Sequence, residues 1–190
     1  NTFGIMLGPW VNKPIFGEES LASDPNQAYV YPDTPLLDVR VREALNHAIN
    51  REALNEAFIG GNGLPMYNTY MHPSRPGWNE DWVSRFPEAY GYDPQKARDL
   101  LAEAGYGPNN PLQHTVEVRT YAFFPAGGDM QEALFGFYKD VGIDVKLETL
   151  DNATRGARSR KLEFDNHSYV YVTSVRQYLG FGVFNSASKI

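Results

Sequence analysis

A group of aromatic side chains stands close together in the first half of the sequence, where they could bind a ligand. Tyr67, Tyr70, Trp78 and Trp82 fall within residues 62–92, a proline-rich segment that we interpret as a long loop. Phenol and indole rings combine an apolar face with a polar edge, so they suit the wall of a small-molecule pocket. The same rings could instead seal the core beneath the loop, and the sequence leaves both alternatives open.

Histidine and serine side chains are present, but their spacing fits neither metal binding nor hydrolysis. The four histidines, His47, His72, His114 and His167, are far apart, and none lies in a carboxylate-flanked motif of the H-E-x-x-H kind. We interpret them as scattered surface side chains. No G-x-S-x-G motif marks a serine nucleophile. The sequence therefore predicts no resident metal and no cofactor.

The overall composition excludes further classes of function. The 190-residue chain carries 17 Lys and Arg against 23 Asp and Glu, which gives a formal net charge of −6. Because phosphate binding depends on clustered basic side chains, we expect no nucleic-acid partner. The absence of cysteine excludes disulfides and thiolate metal sites. No stretch approaches the roughly 20 apolar residues that cross a bilayer.

The elements that must position these side chains alternate between strand and helix. Asp38, Asn50 and Asp93 are predicted N-caps, with a helix break at Asn50. Alternation along residues 115–121, which are predicted to form a strand, places Val116 on the buried side and Glu117 on the other side. Strand, helix and strand follow each other tightly enough to predict a parallel βαβ unit. The fold class is therefore α/β, a mixed sheet with flanking helices. Predicted later elements are a strand over residues 115–121, a helix over 130–141, a strand over 143–147, a helix over 152–161 and a strand over 168–173.

Three segments of the sequence resemble signatures of one known family. They are residues 35–54 (PLLDVRVREALNHAINREAL), residues 92–106 (YDPQKARDLLAEAGY) and residues 141–145 (VGIDV). All three are similar to motifs of the bacterial family 5 extracellular solute-binding proteins, which serve ABC importers of peptides, nickel and opines.

The resemblance implies a fold, a location and partners. Members of the family have two lobes of the periplasmic-binding-protein type II fold that close over a ligand. The chain resembles lobe II, so we expect residues 1–190 to form a single, partial lobe that lacks the first lobe. The implied partners are a small-molecule or oligopeptide-like ligand, an ABC permease in the membrane and the missing first lobe. The implied location is periplasmic or extracellular, with a lipid anchor on the full-length protein.

One departure from the family pattern bears on the ligand. In peptide-binding members, the strand after the third signature ends near an Asp that meets the free amino group of the peptide. The corresponding residues 171–178 contain no acidic side chain. A buried, unpaired ammonium group is costly, whereas the Arg176 guanidinium suits a carboxylate or phosphate. We hypothesise that Ser174, Arg176, Gln177 and Tyr178 meet an anionic or polyhydroxylated ligand group; the alternative places Arg176 on a solvated turn.

The predicted function is solute capture by hinge closure, without catalysis, since a transport receptor must release its cargo unchanged. One rival is an oligosaccharide receptor of the same fold, in which aromatic rings stack on sugar rings. Another is a glycoside hydrolase that uses carboxylates such as Glu80 and Asp81, which would require two carboxylates to converge in one pocket.

Overall fold

The computed structural model describes residues 2–6, 31, 33–63, 67, 73, 77–118, 126–161 and 163–173. Within them lie four strands and six α-helices, which confirms the predicted α/β class. The strands are β1 (Thr2–Met6), β2 (Gln113–Glu117), β3 (Asp144–Glu148) and β4 (His167–Thr173). The helices are α1 (Val39–His47), α2 (Arg51–Ile59), α3 (Asp81–Tyr90), α4 (Pro94–Glu103), α5 (Gly127–Asp140) and α6 (Asn152–Lys161).

The four strands form one mixed sheet in the order β1-β4-β2-β3. Strand β2 pairs in parallel with both β3 and β4, and β1 pairs antiparallel with β4, so that Thr2 lies opposite Thr173. Helix α5 connects β2 to β3, which confirms the predicted βαβ unit. Parallel strands need such a crossover because their ends lie at opposite edges of the sheet.

The predicted helix boundaries around α1, α2 and α4 are confirmed by their caps. The side chains of Asp38, Asn50 and Asp93 each accept a hydrogen bond from a backbone N–H two or three residues ahead. The α1 and α2 helices are therefore separate, as the break at Asn50 predicted. Gly60 ends α2 in the left-handed conformation, with φ of 62°, which glycine adopts without steric cost.

The prediction that residues 62–92 form one long loop was wrong, because α3 lies within them. Its apolar side chains Trp82, Phe86 and Tyr90 are four residues apart, which is the spacing of one helix face. Pro87 lies inside this helix, where proline removes a backbone donor. The prolines of this segment favoured the loop prediction, although the four-residue spacing of its aromatic side chains is typical of a helix.

One hydrophobic core joins the helices to the sheet. Helix α5 buries Met130, Leu134, Phe135 and Tyr138. The rings of Tyr138 and His114 meet edge to face with a centroid distance of 6.1 Å, so α5 covers the face of β2 that carries His114 and Val116. Among the described helices, none combines the length and the apolarity that a bilayer crossing requires. The remaining buried apolar side chains of the core include Leu36, Val41, Ala44, Leu45, Leu54, Ala97, Leu101, Leu112 and Ile143.

Candidate functional site

The edge of the sheet where the parallel strands end is the natural place for a ligand in an open α/β fold. Strands β2 and β3 end there with Glu117 and Glu148, which are partners in the parallel register. Strand β4 runs in the same direction and ends at Thr173. The predicted ligand residues Ser174, Arg176, Gln177 and Tyr178 follow β4 directly and lie outside the described residues.

Glu117 and Glu148 point to the same face of the sheet, opposite the face that α5 covers, because register partners in a parallel pair share a face. Arg155 of α6 reaches Glu117 with its Nε 2.9 Å from both carboxylate oxygens. One turn later, Arg158 donates from Nη1 to Glu148 Oε2 at 2.8 Å. The two glutamates would repel each other across the strands, and the two guanidinium groups offset that repulsion.

The exposure of these side chains corrects the prediction of a half-buried β2. The Glu117 side chain is 0% exposed, although its position in the alternation assigned it to the polar side of the strand. Both faces of a parallel sheet are usually covered, and here α6 covers the second face. Sequence reasoning missed Arg155 and Arg158, whose one signal was their spacing of three residues on a predicted helix.

His167 lies between the two ion pairs. Its Nε2 is 3.9 Å from Glu117 Oε2, and its Nδ1 is 3.9 Å from Glu148 Oε2. The ring also lies against Phe164, with centroids 4.7 Å apart, and Arg158 stacks on that phenyl ring at 4.5 Å. Arginines thus engage both carboxylates at this edge. No group of three potential metal ligands with metal-binding geometry occurs in the described part of the chain.

The histidines correct a second prediction. His47, His114 and His167 are buried, so the interpretation as surface side chains was wrong for these three, while His72 lies outside the described residues. His114 donates from Nδ1 to Asn166 Oδ1 at 2.8 Å, since that amide directs its own nitrogen to the Gln113 carbonyl. The other ring nitrogen then accepts from the hydroxyl of Ser168 at 2.5 Å.

This arrangement holds the His114 imidazole neutral. Burial is the main cause, and the nearby His167 acts in the same direction, while the hydrogen bond to Asn166 opposes them. Together they lower the pKa of His114 to about 4. A histidine of this kind packs as a polar core residue and does not serve as a proton donor near neutral pH.

Three of the predicted ligand-binding aromatics form one cluster. Tyr67 contacts Trp78 edge to face at a centroid distance of 6.0 Å, and Trp78 contacts Trp82 at 5.3 Å. Phe86 of α3 extends the cluster, 5.1 Å from Tyr67 and 5.6 Å from Tyr90. Tyr70, the fourth predicted member, lies outside the described residues. The rings of the cluster therefore pack against one another.

Arg51 joins this aromatic cluster to the ends of two helices. Its guanidinium carbon lies 5.4 Å from the Phe86 ring centre. The group donates to the carbonyls of Asn46 at 3.1 Å and Tyr90 at 2.9 Å, near the C-termini of α1 and α3. Helix C-termini carry partial negative charge, so the cation is stabilised there. Burial lowers the pKa of Arg51.

Arg51, which lies against the aromatic cluster, also lies near the C-terminal end of α5. The charge of Arg51 acts on Tyr138, near the C-terminus of α5. The carbonyl of Tyr138 accepts from the N–H of Ile143, immediately before β3 begins, so this end of α5 is at the amino edge of the strands. A helix of 14 residues spans roughly 21 Å. The structure thus brings Tyr67, Trp78 and Trp82 together around Phe86, which lies against Arg51.

The carboxylates of the hydrolase alternative occupy exposed positions. Glu80 is the residue before α3, and Asp81 is its first residue. Both side chains are exposed to solvent. Adjacent carboxylates at the start of a helix stabilise its N-terminus, which accounts for their presence.

Comparison with known proteins agrees with this fold. The family profile for bacterial extracellular solute-binding proteins, family 5 Middle, matches residues 12–177. An ABC transporter peptide-binding protein of Brucella ovis is 34% identical over 117 residues, which cover 62% of this chain and 21% of that protein. The dipeptide-binding protein of Escherichia coli is 31% identical over 124 residues, which cover 65% of this chain and 22% of that protein.

A solved structure shows the same fold. NikA from Brucella suis in complex with Fe(III)-EDTA superposes with a TM-score of 0.60 at 20% identity, covering 84% of this chain and 33% of that chain. This confirms the expected type II periplasmic-binding-protein fold. The chain spans between a fifth and a quarter of the length of the two curated relatives, at 21% and 22%. With the profile match extending over most of its residues, the chain belongs to the bacterial extracellular solute-binding proteins of family 5.

Proposed function

We propose that this chain is part of a receptor that captures a solute outside the cytoplasmic membrane for an ABC importer. The family match over residues 12–177 is the observation that carries this proposal. The chain would act as one lobe that closes against a first lobe, with the ligand between them and the permease as the membrane partner. Its role would be binding without chemical change, and the names of the relatives, which describe peptide or dipeptide binding, support this role.

We further propose that the ligand presents an anionic or polyhydroxylated group to this lobe. Two observations support this choice. Residues 171–178 contain no acidic side chain but include Arg176. At the ends of β2 and β3, Glu117 and Glu148 are each bound by an arginine of α6, so their charges are already compensated. A ligand ammonium group would thus gain little from either carboxylate.

The test is isothermal titration of the two-lobed protein with a matched pair of ligands. An alanyl-phenylalanine dipeptide carries a cationic amino group, and its N-acetylated form lacks that charge but keeps the carboxylate. We expect the acetylated form to bind at least as tightly. A site built for a peptide amino terminus would lose about 100-fold or more in affinity on acetylation, because a charged hydrogen bond would be left unpaired. That result would overturn the anionic-ligand proposal and favour ordinary peptide uptake.

A variant pair examines the proposed role of Arg176. Arg176→Gln removes the guanidinium group, and Arg98→Gln removes an exposed one on α4 as the matched control. We expect at least about a tenfold loss of affinity for N-acetyl-alanyl-phenylalanine in the first variant only. Equal binding by both variants would place Arg176 on a solvated turn.

Ligand contact by Tyr67, Tyr70, Trp78 and Trp82 stays a prediction, and the ring contacts within the cluster support the packing alternative. Titration of the same protein with maltotetraose examines the oligosaccharide rival. Strong quenching of tryptophan fluorescence by the sugar would favour stacking on Trp78 or Trp82. Absence of binding, together with binding of the acetylated dipeptide, would remove the rival.

A further inference from the structure

Helix α6 is attached to the sheet in an unusual way. Among its residues whose burial is described, 152–158 and 161, none is buried. Its described contacts with the strands include the ion pairs of Arg155 with Glu117 and of Arg158 with Glu148. By contrast, α5 buries the side chains of Met130, Leu134, Phe135 and Tyr138 on the other side of the sheet. Electrostatic attraction therefore contributes to holding α6 against the sheet.

The helix has little intrinsic stability to add. It has 10 residues and includes Gly156 in its interior, and isolated helices of that length are marginal in water. Asp151 caps it, accepting from the N–H groups of Ala153 and Thr154 at 2.9 Å each. The cap favours the helical form of the segment but does not bind the segment to the sheet.

The surface beneath α6 is acidic. If α6 moved away, Glu117 and Glu148 would face solvent as adjacent like charges, with His167 beside them. In the closed position the two arginines compensate them, while in an open position water and dissolved ions would do so. Salt stabilises separated, exposed charges, so it favours the open position relative to the closed one.

We propose that α6 is an ionic strap, a helix that closes over the carboxyl ends of β2 and β3 and opens locally as the ionic strength rises. Opening is a local event because the apolar core on the α5 side does not depend on these ion pairs. The strap thereby controls when the acidic ends of the two strands are accessible. This inference concerns the described part of the chain and does not depend on which solute the protein carries.

Hydrogen exchange of the full chain, followed by mass spectrometry, tests the strap. Sodium chloride is raised from about 0.05 M to about 1 M, over which the Debye length falls several-fold. We expect the amides of α6 to exchange about tenfold faster at high salt, and those of α5 to change by less than about twofold. Exchange of α5 and α6 in step, or salt-independent exchange of α6, would overturn the proposal.

Variants separate the ion pairs from other effects of salt. Arg158→Met removes the pair with the partly exposed Glu148, together with the hydrogen bonds to the Glu163 carbonyl and the stacking on Phe164, so α6 should exchange about tenfold faster at low salt and respond less to added salt. Arg158→Lys keeps the charge and should restore part of the protection. Arg98→Met on α4 is the control and should leave α6 unchanged. If α6 of Arg158→Met exchanges as in the unmodified chain, the strap is not ionic; if that variant does not fold, the salt titration decides alone.

Discussion

Helices α5 and α6 follow neighbouring parallel strands and cover opposite faces of the same sheet, yet they are held there by different forces. Helix α5 buries Leu134, Phe135 and Tyr138 against the sheet and the other helices. Helix α6 approaches the sheet with Arg155 and Arg158. Equivalent positions in one topology can thus be occupied through apolar burial or through paired charges. Apolar burial stabilises the fold whatever the ionic strength, whereas paired charges require both partners and weaken as salt is added.

The largest expected effect is on the α5 side. Phe135→Ala removes a side chain that is 2% exposed and should lower the free energy of unfolding by about 4 kcal/mol, because it leaves a cavity. Urea denaturation followed by circular dichroism measures the change, which should be the same at low and high salt. The half-buried Phe137 is the control, and its alanine variant should lose less. A loss below about 1 kcal/mol for Phe135→Ala would remove the basis of the comparison.

On the α6 side, Arg155→Met leaves the buried Glu117 without its described cation. We expect a loss of about 3 to 4 kcal/mol in the same denaturation experiment. Adding Glu117→Leu should recover most of that loss, because apolar residues can replace both members of a buried ion pair at little cost. A double variant as unstable as the single one would show that Glu117 and Arg155 do not act as a pair.

Acid should destabilise the protein through His114. Its folded pKa of about 4 lies below the ordinary 6.5, so the unfolded chain takes up the proton first as the pH falls. The stability contributed by the neutral ring is complete above pH 6.5, is lost progressively between 6.5 and 4, and amounts to about 3 kcal/mol. Unfolding free energies measured across this pH range should fall less steeply for His114→Gln. Equal slopes would contradict the assignment.

The smallest effect is expected at the end of β3. Leu147 is on the α5 face of the sheet but is 45% exposed. Leu147→Thr should therefore change the free energy of unfolding by less than about 0.5 kcal/mol, as most exposed substitutions do. A loss similar to that of Phe135→Ala would mean that the apolar layer extends to this strand.

The helices and strands that could be predicted from the sequence are those marked by residues a few positions apart. Asp93-Pro94 gave the start of α4, and the bounds predicted for α6, residues 152–161, agree with the structure. Caps and apolar periods depend on residues a few positions apart, so a single sequence reveals them.

The features that escaped prediction depend on distant partners. Glu117 is buried because Arg155 arrives from a helix 38 residues further along the chain. Likewise, His114 is satisfied by Asn166 and Ser168, which belong to the last described turn and strand. Alternation along β2 shows which side chains share a face, but it does not show what covers the second face. Ligand contact by the residues after β4 stays a prediction, which titration of the Arg176→Gln variant tests.

The pairing of β1 with β4 has a consequence for how the chain folds. Thr2 lies opposite Thr173. Strand β1 can therefore form its hydrogen bonds with β4 only after β4 has been synthesised. During synthesis, β1 would emerge long before β4 and would lack this partner until residues 167–173 had left the ribosome. The βαβ unit can assemble from nearer neighbours, whereas closure of the β1 edge is a late and slow step.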